Sequence, residues 1–136
     1  MTTTEGWQAV DLGAEFPAPA GAYSPVVRAG EFLFVSGQVP TDPATGGAVG
    51  TTVAEQTGYV IEKLGRTLAA AGSSLKAVVS VTAYLADIGD WDAFNAAYRQ
   101  AFEPPYPTRT TVGAGLHGVL VEVSAIARAA QTRSEP

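Results

Sequence analysis

Val119-Leu-Val-Glu-Val-Ser-Ala-Ile-Ala127, an apolar run interrupted only by Glu122 and Ser124, decides how the rest of this chain is read. It follows Pro107-Thr-Arg-Thr-Thr111 across the glycine-containing turn Gly115-Leu-His-Gly118. The two segments, Thr108 to Ala114 and Val119 to Ala127, are expected to be strands joined as a hairpin that closes the fold. Arg109 is the only lysine or arginine between Arg99 and Arg128. A guanidinium left unpaired in low dielectric is costly, and its planar fork matches a carboxylate with two parallel bonds. Its partner is therefore either Glu122 or an anionic ligand.

Working outward, Asp90 can cap a helix from Trp91 to Phe102, whose inward stripe is Trp91, Phe94, Ala97/Tyr98 and Ala101. Pro104-Pro105 stops it. Leu75 to Ala86, rich in valine, is expected to be a buried strand. Thr52-Val-Ala-Glu55 has capping-box spacing and opens the longest helical pattern, which Gly72 ends. Gly58 and Gly65 inside that helix each cost roughly 1 kcal/mol against alanine, and close packing on a sheet is the expected reason for them.

Val26 to Ser36 reads as a hairpin around Ala29-Gly30-Glu31. Trp7 to Leu12 reads as a brief strand, followed by a loop that carries Tyr23. Two β/α units thus share one sheet, an α+β arrangement with both helices on one face. The other face needs a cover, which self-association would supply.

One domain over 1–136 is expected, with 1–6 and 129–136 flexible. The chain is 46% hydrophobic and only 15% charged, a composition that favours an oligomer. A net charge of −5 without any Lys/Arg cluster argues against nucleic-acid and anionic-membrane partners. Cysteine is absent, which removes disulfides, thiolate zinc sites and cysteine nucleophiles; one histidine, His117, makes a histidine-based metal centre improbable. No stretch approaches the ~20 apolar residues that span a bilayer, and the start of the chain lacks a secretory pattern, so a cytoplasmic protein is expected.

Several fragments, in order, resemble one family: Gly21-Ala-Tyr-Ser-Pro25, Phe34-Val-Ser-Gly-Gln-Val-Pro40, the Gln56 helix ending Ala69-Ala-Ala-Gly72, Val81-Thr-Ala-Tyr-Leu-Ala-Asp87, Phe94-Asn95-x-x-Tyr98, Pro107-x-Arg109 and Val121-Glu122-Val-x-Ala-Ile-Ala127. Their order and spacing resemble the reactive intermediate deaminases, the RidA or YjgF family. The resemblance implies a chorismate-mutase-like subunit, a mixed β-sheet with two helices on one face, assembled as a homotrimer with sites in the clefts between neighbours. It implies hydrolysis of carboxylate-bearing enamines and imines such as 2-aminoacrylate to a 2-keto acid and ammonia, with no cofactor. By position, Arg109 matches the arginine that grips the substrate carboxylate and Glu122 the glutamate that orients water. Tyr23, Ser36, Gly37 and Asn95 match pocket-lining positions.

The departures lie near the same place. Thr111 stands where many members have cysteine, Ser124 replaces an acidic residue, and the turn Gly113 to Gly118 is shorter than usual, lacks an arginine and carries His117. Thr111 is kept as a substrate-binding candidate. These changes leave two alternatives open: a relative acting on a larger carboxylated intermediate, or a trimer that binds a small ligand without turnover.

Overall fold

The computed structural model describes residues 5–130. Six strands form one sheet: β1 (Trp7–Ala9), β2 (Val26–Ala29), β3 (Phe32–Gln38), β4 (Val78–Leu85), β5 (Thr108–Gly113) and β6 (Val121–Arg128). Two helices, α1 (Val53–Ala70) and α2 (Trp91–Ala101), complete the fold. Among the described residues no helix is long and apolar enough to cross a membrane.

The strand order is β1-β2-β3-β6-β4-β5, and only β4 and β5 run parallel. The expected hairpin between the last two strands is therefore wrong. β5 pairs with β4 alone and forms a sheet edge, while β6 inserts between β3 and β4. The connecting turn passes over the end of β4 and is pinned there on both sides: Ala114 N donates to Leu85 O (2.9 Å) and Ala86 N donates to Leu120 O (3.0 Å). The parallel pair is possible because α2 serves as the crossover that parallel strands require.

Strand alternation defines the two faces. Val121, Val123, Ala125 and Ala127 of β6 are buried against the helices, together with Leu33, Val81, Ala83 and Leu85. Phe94, Ile61, Leu64 and Leu68 meet them from α1 and α2, each fully buried side chain contributing about 1.5–3 kcal/mol. The opposite face carries Phe32, Phe34, Tyr84, Glu122 and Ser124; Phe34 is 44% exposed.

The capping box forms as expected. Glu55 N donates to Thr52 Oγ1 (3.1 Å), and Thr51 N and Thr52 N donate to Glu55 Oε1 (3.0 and 3.2 Å), which lowers the Glu55 pKa. Gly72 ends the helix at φ +82, with Ser73 N donating to Leu68 O at 2.8 Å. Buried Gln56 ties α1 to the start of β6, giving Nε2 to Gly50 O (3.0 Å) and accepting from Leu120 N (2.8 Å).

Other expectations needed correction. Leu75–Ala77 is a 3-10 turn and only then does β4 begin; β1 ends at Ala9. Gly65 does sit against a neighbour, Leu75, at 3.4 Å, but a side chain at Gly58 would meet open space, so sheet packing does not explain that glycine. Asp90 makes no side-chain cap bond; Asp87 accepts from Gly89 N instead (2.8 Å). Trp91 is 40% exposed and not part of the core stripe. Ala129, expected to be flexible, is buried and donates its N–H to Glu31 O at 2.7 Å; positions 1–4 and 131–136 of the expected flexible ends lie outside the described residues.

Candidate active site

The candidate residues form two groups on opposite faces of the sheet. Arg109 and Thr111 pair in register with Val81 and Ala83 and so lie on the helix side of the edge strand. There the Arg109 guanidinium sits over three rings of α2, with its carbon 4.6 Å from the centroid of Tyr98, 5.2 Å from Phe94 and 5.4 Å from Trp91. Aromatic faces attract a cation through their quadrupoles but supply no hydrogen-bond acceptor of carboxylate strength. The only ion pair among the described residues is Arg128 with Glu31, at 3.0 Å. Arg109 is thus half-buried, oriented and without an anion.

Two hydroxyls beside it are also unsatisfied. Thr111 Oγ1 and Tyr98 Oη are buried without a hydrogen-bond partner. Burial pushes the Tyr98 phenol up to about 12, with Arg109 pulling the other way, so at neutral pH it stays protonated and keeps an O–H to donate. Asn95 is half-buried on the turn of α2 between Trp91 and Tyr98, which faces this edge of the sheet.

The second group surrounds Glu122. It pairs with Tyr84 and points to the face away from the helices. A Cβ on Gly37 would overlap the Glu122 carboxylate, so the bare backbone at the β3 irregularity between Val35 and Gln38 is what lets that carboxylate lie there. Ser36 stitches the preceding loop in place: its N–H donates to Pro25 O (2.9 Å) and its Oγ to Ser24 O (2.6 Å). That loop presents Tyr23, 52% exposed. His117 is exposed in the turn before β6.

Glu122, one of the two partners the sequence offers Arg109, would have to reach the space of the guanidinium to serve as one. It does not, because β4 lies between their strands and the two side chains leave opposite faces. An internal Arg109–Glu122 salt bridge is ruled out for the same reason. The structure puts Arg109 and Thr111 on one face, with Asn95 on the α2 turn between two of the rings that meet Arg109, and sets Glu122 against Gly37 on the other face; Tyr23, Ser36 and Gly37 meet along one cavity wall. The aromatic walls around Arg109, Phe94 and Tyr98, were read from sequence only as core. Their 3.6-residue spacing carried that signal, and nothing in it distinguishes a ring under a leucine from a ring under an arginine.

Fold and site together define a small α+β protein with an unpaired guanidinium at the edge of its sheet and a free carboxylate on the sheet's uncovered face. The profile of the family described as endoribonuclease L-PSP matches residues 13–129. A RutC family protein of Pyrococcus horikoshii is 42% identical over 113 residues, covering 82% of this chain and 90% of that one. The 2-iminobutanoate/2-iminopropanoate deaminase of Bos taurus is 39% identical over 116 residues, covering 84% and 85%. The crystal structure of RidA from the Antarctic bacterium Psychrobacter sp. matches with a TM-score of 0.76 at 32% identity, covering 82% and 92%. The chain belongs to this family, RidA/YjgF, whose members include proteins named imine deaminases.

Proposed function

We propose that this protein hydrolyses small carboxylate-bearing imines and enamines to a 2-keto acid and ammonia, at sites shared between copies in a homotrimer. The observation that carries the reading is an oriented Arg109 with no carboxylate among the described residues in ion-pair reach, while Glu122 lies on the opposite face. One chain cannot bring the two to one substrate. A neighbour laid against the open face, where Phe32 and Phe34 are exposed, can place its own Arg109 edge beside Glu122 and Gly37.

In that cleft Arg109 holds the substrate carboxylate by two charge-assisted hydrogen bonds. Glu122 accepts a proton from water as the water oxygen bonds to the imine carbon, and the proton passes to nitrogen, giving a carbinolamine. Its collapse forms the carbonyl, breaks the C–N bond and releases ammonia; an enamine first takes a proton on carbon to become the imine. Positioning supplies most of the acceleration, because the carbon is already electrophilic. Asn95, Thr111, Tyr23 and Ser36 shape the cleft.

The test follows keto-acid release from 2-iminopropanoate generated in situ. Wild type speeds release, and Arg109→Ala lowers kcat/KM by about 10- to 100-fold, the worth of a charged hydrogen-bonded contact. Equal rates for wild type and variant refute the reading. Sedimentation should give three times the 14.0 kDa mass of the chain.

A further inference from the structure

A cavity of about 670 Å³ lies on the helix side between α1, the loop before β2 and the segment after β3. Leu12, Phe16, Pro19 and Pro25 make its apolar wall. Across from them α1 presents Tyr59, Lys63 and Arg66, spaced i, i+4 and i+7 and therefore on one stripe. Lys63 Nζ donates to Val39 O (3.0 Å) and Thr41 O (3.3 Å), which holds the ammonium in place and leaves its third proton unused. The Arg66 guanidinium stands 5.8 Å over the Tyr59 ring.

Among the described residues neither cation has a carboxylate within ion-pair distance, although Glu15 and Asp42 line the same cavity. Asp42 is engaged elsewhere, accepting from Ala44 N at 2.8 Å. Burial and the neighbouring Arg66 charge both lower the Lys63 pKa, the strain that a bound anion between them would relieve.

We infer that this cavity is a second ligand site, for an organic acid with a hydrophobic body, its carboxylate between Lys63 and Arg66 and its apolar part against Phe16 and the prolines. The size suits a ligand larger than a three- or four-carbon imino acid. Tyr23, Ser36 and Gly37 line its far edge, so the site shares that wall with the reaction cleft while containing neither Arg109 nor Glu122. It goes beyond the deaminase reading and does not depend on it.

Calorimetry with 3-phenylpropanoate on the Arg109→Ala chain tests the inference, since that variant lacks the carboxylate clamp of the reaction site. The acid should bind, its neutral amide should bind at least about tenfold more weakly, and Arg66→Glu, a change at an exposed side chain, should weaken the acid at least about tenfold. Equal affinity for acid and amide, indifference to Arg66→Glu, or loss of binding on Arg109→Ala alone would each overturn the site. Turnover of an imino acid is measured separately, so failure of the deaminase reading leaves these outcomes intact.

Discussion

Arg109 on the edge strand β5 and Arg128 at the last position of the central strand β6 both lie over aromatic rings, and they differ in burial and in counter-charge. Arg128 is exposed, stands 5.8 Å over Phe32 and meets Glu31 at 3.0 Å. Arg109 is half-buried over three rings and meets no carboxylate among the described residues. Stability alone would favour the reverse, since a cation withdrawn from water needs an anion more than a solvated one does. The chain has placed its counter-charge where it matters least. The guanidinium it leaves unanswered is the one held rigid.

The largest effect expected from breaking this arrangement is at the wall beneath Arg109. Phe94→Ala deletes a fully buried ring and should cost about 3–5 kcal/mol in urea unfolding. Arg109→Ala comes next, with its 10- to 100-fold loss of turnover and little loss of stability; a large fall in Tm instead would mean that the guanidinium serves the fold.

Tyr98→Phe removes a buried hydroxyl with no partner among the described residues and should be neutral or stabilising by up to about 1 kcal/mol at pH 7. Destabilisation would point to a partner contributed by another copy. The same variant should flatten the alkaline end of the stability profile. Below the ordinary tyrosine value of 10.0 the phenol is protonated folded or unfolded; as pH rises from there through about 12 the unfolded chain loses the proton first, so wild type loses stability there. Glu31→Gln, which breaks the exposed pair, should change stability by only about 0.2–1 kcal/mol, readable as a small, salt-sensitive shift in Tm.

Much of the fold was legible because it rests on local rules. The capping box at Thr52, the stop at Gly72, the hairpin around Gly30 and the alternation through β6 are all carried by residues close in sequence. The sheet order was not. A turn of Gly, Leu and His between two strands looks the same whether it closes a hairpin or steps across a third strand, and only the bonds of Ala114 and Ala86 to the end of β4 and the Leu120 carbonyl distinguish the two. The candidate site suffered the same limit. Its residues could be named one by one, yet their division between two faces depends on which strand lies between them.

By itself the sequence determined the number and kind of elements, the Phe94 and Tyr98 part of the α2 core stripe, and the presence of one arginine in a region otherwise empty of positive charge. Tertiary structure alone decided that β6 is central, that Arg109 and Glu122 face apart, and that Lys63 and Arg66 share a cavity. Periodicity and capping act over one or two turns of chain, whereas strand order and side-chain convergence are set by hydrogen bonding and burial between segments far apart in sequence.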